Sequence, residues 1–131
     1  MIGLDTNILV RYLTHDHPVQ TPAAIELINS FTPESPGFIS VVVVVELIWV
    51  LESSFRFTRA EIASTVETLL RSKELTVERP EIAWQALRSF KTGKADYSDC
   101  LIQRCGHAAG CSYTLTFDLK AANTEGMQLL R

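Results

Sequence analysis

The spacing of apolar residues along the chain predicts helices that alternate with short strands. Ile8, Leu9, Tyr12 and Leu13 recur at helical spacing directly after a short apolar strand at residues 2–4. Further strands are predicted at residues 38–39, 75–77, 113–116 and, in the tail, within 126–130. Helix-start signals precede the remaining helices: Thr21-Pro22, Ser40, the capping box of Thr58 and Glu61, Pro80, and Asp96.

The segment at residues 41–53 can be read in two ways, because five consecutive valines favour a strand. Ser40 is a good N-cap, however, and the apolar run continues to Leu51, which is long for one strand. We therefore predict a buried helix that contains a single charge, Glu46, in its apolar run. A carboxylate among valines and leucines is costly, so Glu46 needs a cation, a hydrogen-bond donor or a solvent-facing edge.

The alternation of strands and helices predicts an α/β fold, a three-layer α/β/α sandwich with a central parallel sheet. The length of 131 residues predicts a single domain spanning residues 1–131. Glu46 interrupts the longest apolar run and the N-terminus lacks a basic region, so neither a membrane segment nor a secretory signal is expected. An odd number of cysteines without C-x-x-C spacing indicates reduced thiols in a cytoplasmic protein: Cys100, Cys105 and Cys111.

Four carboxylates occupy positions that could converge at the carboxyl edge of such a sheet. Asp5 and Asp118 each end a strand, Asp99 lies in the first turn of a helix, and Glu46 lies in the apolar run. Three of these acids have a simpler role when taken alone: Asp5 as a helix cap, Asp99 as an acid in a helix first turn, and Asp118 as a turn residue. For the neighbouring Asp96 the cap is the preferred interpretation. Clustered carboxylates repel unless a cation compensates them, and hard oxygen ligands suit Mg²⁺ or Mn²⁺. Together the acids indicate metal-assisted phosphodiester hydrolysis.

Four motifs together resemble a PIN domain, and in particular the VapC-type toxins of bacterial and archaeal toxin–antitoxin pairs. They are Asp5-Thr6-Asn7 after the first strand, Val45-Glu46-Leu47, Ser98-Asp99-Cys100-Leu101-Ile102, and Thr116-Phe117-Asp118. The resemblance covers nearly the whole chain and implies an Mg²⁺- or Mn²⁺-dependent endoribonuclease. It implies that the catalytic and metal-binding acids are Asp5, Glu46, Asp99 and Asp118, supported by Thr6, Asn7 and Thr116, with Asp96 as a further acid of lower claim.

The expected partners are RNA, a cognate antitoxin and a second copy of the chain in a homodimer. A formal net charge of −3 gives no overall basic surface, so RNA binding needs a local basic patch or bound metal ions. Lys91 and Lys94 are the best candidates because their loop precedes Asp99. Apolar helix positions could serve dimerisation or antitoxin docking, around Ile25 and Ile28 or around Ile62 and Val66. Solvated faces are expected for Arg11, Arg104 and Lys120.

Two alternatives stay open at the level of sequence. A haloacid dehalogenase-like phosphatase needs a second Asp two residues after the first, where this chain has Asn7, and a receiver domain needs a late Lys, for which only Lys120 is available. A protein-interaction module with a vestigial acidic cluster is the other alternative, which the presence of all four acids disfavours.

Overall fold

A computed structural model describes residues 1–131, and the chain forms two compact units, Met1–Glu78 and Arg79–Arg131. The first unit contains β1 (Ile2–Gly3), α1 (Thr6–Thr14), α2 (Gln20–Asn29), β2 (Gly37–Ile39), α3 (Val41–Phe55), α4 (Arg59–Arg71) and β3 (Leu75–Val77). The second contains α5 (Pro80–Thr92), α6 (Tyr97–Ala108), β4 (Thr114–Thr116), a 3₁₀ turn (Ala121–Asn123) and β5 (Met127–Leu129). The predicted mixed α/β class is confirmed, whereas the single domain stays a prediction.

All strand pairs are parallel, as the alternation of strands and helices predicts. In the first unit β2 lies between β1 and β3, with Gly37 opposite both Ile2 and Leu75. In the second unit β4 pairs with β5, and Thr114 lies opposite Met127. Because helices join the parallel strands, loops and helix N-termini follow the carboxyl ends of β1 and β4.

The helix predicted for residues 41–53 is confirmed as α3, which extends to Phe55, but the prediction that it is buried is wrong because Val42 and Trp49 are exposed. Its N-cap is Ser40, whose Oγ accepts a hydrogen bond of 3.2 Å from the Val43 N–H. The side chains that α3 buries are Val44, Leu47, Ile48 and Leu51. Packing of this apolar face therefore outweighs the preference of valine for strands, and Glu46 lies on the exposed face of the helix.

Helix α2 begins at Gln20, before the predicted start at Thr21-Pro22, so that prediction is wrong by a short margin. The Nδ1 atom of His17 accepts hydrogen bonds from the backbone N–H groups of Val19 and Gln20 at 3.2 and 3.0 Å, which satisfies donors at the start of the helix. Thr21 is buried instead of capping, and its hydroxyl donates to the Arg11 carbonyl. Pro22 still lies in the first turn, where its missing N–H costs no helical hydrogen bond.

Three of the four apolar helix positions predicted to serve docking belong to the core, and Ile25 is partly exposed. Ile28, Ile62 and Val66 are 7%, 0% and 3% exposed, so they are not available to a partner. The exposed large apolar side chains of the helices in the first unit are instead Val42 and Trp49 on α3. These two side chains replace the predicted positions as candidates for an interface.

None of the helices combines the length and the hydropathy that crossing a membrane would require. The three cysteines are free thiols, as predicted, and Cys100 is buried within α6.

Candidate active site

Asp5 directly follows β1 and is the N-cap of α1. Its backbone is extended, and its Oδ1 atom accepts a hydrogen bond of 2.7 Å from the Thr6 N–H. The capping role considered from the sequence is therefore real. Because capping uses only Oδ1 and the residue is exposed, Oδ2 remains available as a ligand atom.

Glu46 has both a solvent-facing position and a hydrogen-bond donor, two of the three ways in which a carboxylate in an apolar run can be stabilised. It lies on the exposed side of α3, and the hydroxyl of Thr6 donates a short hydrogen bond to its Oε1 atom. Thr6 is itself buried, so its hydroxyl is held in one place by packing. This bond links the start of α1 to the middle of α3 and fixes the orientation of the carboxylate.

These side chains open into one pocket of about 340 Å³ in the first unit. Four of its lining residues are predicted site residues, Asp5, Thr6, Asn7 and Glu46, and the remaining ones are Val10, Arg11 and Val50. The expectation that Arg11 lies on a merely solvated face is wrong. Its position one helical turn after Asn7 is the sequence signal that could have placed it on the same face of α1.

A second group of acids lies in the second unit and centres on Asp99 in the first turn of α6. Burial raises the pKa of the Asp99 carboxyl, and the negative charges of Asp96 and Asp118 raise it further. A hydrogen bond from the Asp96 backbone lowers the same pKa in part. The structure thus brings three of the predicted acids of this unit within electrostatic reach of one another.

Asp96 occupies the N-cap position of α6, as predicted, but its side chain makes no capping hydrogen bond. The interpretation of Asp96 as a cap is therefore right about its position at the start of the helix, but its side chain does not perform the capping. Instead, the negative charge of its carboxylate raises the pKa of Asp99.

Asp118 lies two residues beyond β4, where Thr116 holds the backbone. The Thr116 Oγ1 atom accepts a hydrogen bond of 3.0 Å from the Asp118 N–H. Asp118 Oδ1 accepts from the N–H groups of Lys120 and Ala121 at 2.8 and 3.4 Å, which stabilises the turn that leads into the 3₁₀ turn. The role of Thr116 as a supporting residue and the turn role of Asp118 therefore coexist.

The two lysines predicted to contact RNA are exposed and precede α6. Lys91 lies in the last turn of α5, because that helix continues to Thr92, and Lys94 lies in the loop that follows Gly93. The structure therefore places Lys91 in a helix and not in the loop that was predicted for both lysines.

The donor atoms of both groups suit a hard divalent cation. They are carboxylate oxygens with a neighbouring threonine hydroxyl and backbone groups, and no Cys or His accompanies them. Neither unit by itself gathers three His, Cys, Asp or Glu side chains close enough to hold a metal ion. Burial raises the pKa of Asp99 most, and a cation would offset the negative charges of Asp96 and Asp118 that raise it further.

The model of the PIN domain family matches residues 2–126 of this chain. The chain belongs to the PIN domain family. The match includes both acidic groups and every supporting residue named above, which favours a PIN domain over the phosphatase, receiver and interaction-module alternatives.

Two similar proteins extend the comparison of this PIN domain. The chain is 26% identical over 103 residues to the VapC ribonuclease of Aquifex aeolicus, a segment that covers 75% of this chain and 73% of that protein. A solved toxin–antitoxin complex from Klebsiella pneumoniae is a more distant likeness, with 17% identity and a TM-score of 0.39 over 97% of this chain and 95% of the matched chain.

Proposed function

We propose that this PIN domain is an Mg²⁺- or Mn²⁺-dependent endoribonuclease that acts as the toxin of a toxin–antitoxin pair. The observation that carries the proposal is the family match over residues 2–126, which contains all four acids. The similarity to a VapC ribonuclease supports RNA as the substrate.

We assign the proposed catalytic and metal-binding roles to Asp5, Glu46, Asp99 and Asp118. A bound Mg²⁺ or Mn²⁺ ion would supply a water of lowered pKa and would offset charge on the phosphoryl group. Thr6 orients the Glu46 carboxylate, which supports its use as a ligand. Thr116 fixes the backbone at Asp118.

Asn7 and Asp96 complete the proposed supporting set. Asn7 offers an amide that both donates and accepts hydrogen bonds in the pocket of Asp5 and Glu46. Asp96 adds negative charge beside Asp99 without capping its helix.

We propose RNA, a cognate antitoxin and a second copy of this chain as partners in the cytoplasm. Lys91 and Lys94 are exposed cations that suit contacts with RNA phosphates. The exposed Val42 and Trp49 side chains support a protein interface on α3.

The decisive experiment incubates purified protein, freed of any inhibitor, with single-stranded RNA. Cleavage is expected with Mg²⁺ or Mn²⁺, and it should stop with EDTA or in Asp5→Asn. The matched control is Glu26→Gln, an exposed acid on α2 away from the pocket, which should cleave as wild type does. Undiminished cleavage in EDTA would contradict the proposed chemistry.

A further inference from the structure

A second cleft lies beside the acidic pocket of the first unit and shares two residues with it. Its volume is about 310 Å³, and Asn7 and Arg11 line both this cleft and the pocket of Asp5 and Glu46. Any ligand that fills both spaces therefore passes Asn7 and Arg11. The rest of the cleft is lined by Ile8, Gln20, Ala23, Ala24 and Leu27.

Arg11, which lines both spaces, pairs with two side chains at the surface, Gln20 and Asp16. Its Nε atom donates to Gln20 Oε1 at 2.8 Å, and its Nη1 atom donates to the two carboxylate oxygens of Asp16 at 3.0 and 3.2 Å. These bonds leave the Nη2 donors for a ligand. A guanidinium held in one orientation suits a phosphate group, because planar donors match its oxygens.

The inner surface of the cleft suits a flat, uncharged ring. Ala23 and Ala24 project only methyl groups, and Leu27 adds an apolar side chain one turn further along α2. Gln20 also lines the cleft, and because its Oε1 atom already accepts from Arg11, its amide has two N–H donors for a ligand. An apolar surface edged by N–H donors matches an unstacked base that carries acceptors on its edge.

We propose that this cleft binds one nucleotide of single-stranded RNA next to the bond that is cleaved. The base lies against Ala23 and Leu27 and accepts a hydrogen bond from Gln20, and its phosphate contacts Arg11. This inference rests on the proposed ribonuclease function and deepens it, since it adds a base preference at one position beside the cut. If the cleft binds a different ligand, the test below shows it, because the cleft variants then leave KM and the base preference unchanged.

The test uses a variant that narrows the cleft and leaves the four acids unchanged. Ala23→Leu fills the space, and the matched control is Ala60→Leu, an exposed alanine on α4 that lines neither space. Wild type and both variants cleave a random-sequence RNA with Mn²⁺, and the product ends are sequenced. We expect Ala23→Leu to raise KM about tenfold, the equivalent of one lost base contact. It should also erase the base preference beside the cut, while Ala60→Leu keeps both.

A second variant, Gln20→Glu, keeps the side-chain length and the oxygen to which Arg11 Nε donates, and it removes the amide donors. It should raise KM and change which base is preferred beside the cut. If wild type cleaves and both cleft variants retain its KM and base preference, the subsite is wrong and the ribonuclease stands. If wild type shows no metal-dependent cleavage, the ribonuclease and the subsite are both overturned.

Discussion

Thr6 and Glu46 lie 40 positions apart in the sequence, and the hydroxyl of the first donates a hydrogen bond to the carboxylate of the second. Thr6 is buried, whereas Glu46 is exposed on α3. The bond thus anchors a solvent-facing carboxylate to a fixed point at the start of α1. In the proposed enzyme this contact determines which way a ligand oxygen points.

Thr6→Val should lower RNA cleavage roughly 10- to 100-fold, the usual cost of losing a residue that orients a metal ligand. The valine keeps the volume and removes the donor, so Glu46 is free to rotate. Thr65→Val is the matched control, because its hydroxyl donates only to a carbonyl within α4. The measurement compares the cleavage rates and the thermal melting curves of the two variants. Equal cleavage by the two variants would show that the Thr6 hydroxyl has no positioning role.

Asp99→Asn should abolish cleavage, and Asp96→Asn should reduce it less. Asp99 is half-buried among like charges, where a ligand charge matters most, whereas Asp96 is exposed at the N-cap. The Asp96 side chain makes no capping hydrogen bond and its charge repels Asp99, so Asp96→Asn should not lower the melting temperature. Single-turnover cleavage with Mn²⁺ distinguishes the two acids. If Asp96→Asn proves more damaging and Asp99→Asn is tolerated, the ligand at the start of α6 is Asp96.

Gly126→Ala should destabilise the protein by about 2–3 kcal/mol, because a side chain there meets both backbone strain and a clash. The φ angle of Gly126 is +88°, and an added Cβ would lie 2.2 Å from Nε2 of the buried Gln103. Gly110 has a φ angle of +99° and open space around an added Cβ, so Gly110→Ala measures the backbone strain without a clash. It should cost about 1 kcal/mol. Gly3→Ala has open space and should be nearly neutral. Urea unfolding of the three variants tests this order, and equal losses would exclude the Gln103 contact as a cause.

Local sequence signals predicted most of the helices and strands. The capping box of Thr58 and Glu61 forms as expected, with hydrogen bonds of 3.0 and 3.2 Å. Ser40 likewise caps α3. Such signals succeed because each involves residues only three positions apart. The strand β3 at Leu75–Val77 was also predicted with its observed bounds.

The predictions that failed depend on contacts that spacing does not encode. The start of α2 was missed because the imidazole of His17 caps it, a role that residue preferences at N-caps do not suggest. Arg11 was assigned to a solvated face because helical periodicity does not say which polar face borders a pocket. Ile62 and Val66 were considered for docking because apolar spacing alone does not distinguish core from interface. The assignment of the four acids rests on the family motifs and stays a prediction.

Mn²⁺ should raise the melting temperature of the wild-type protein at neutral pH, because the ion binds the folded site in preference to the unfolded chain. The expected stabilisation is about 2.7 kcal/mol at a hundredfold excess of Mn²⁺ over Kd. Asp5→Asn should lose most of this shift, and the exposed-acid control Glu26→Gln should keep it. The measurement is thermal melting with EDTA and with increasing Mn²⁺. An identical shift in Asp5→Asn would mean that the ion binds elsewhere.

In EDTA at neutral pH, Asp99→Asn should melt at a higher temperature than wild type. Burial and the charges of Asp96 and Asp118 raise the pKa of Asp99 in the folded protein. The native state therefore binds more protons than the unfolded chain between the ordinary carboxyl pKa and the raised one. Wild-type stability should thus rise as pH falls from neutrality through the raised pKa, and level off below the unfolded value. Asparagine keeps the acceptor for the Asp96 backbone and removes the titrating charge, so the variant should lack this rise. Melting curves from neutral to acidic pH test the argument, because the two proteins should differ at neutral pH and converge in acid. A constant difference at every pH would mean that packing, rather than charge, separates them.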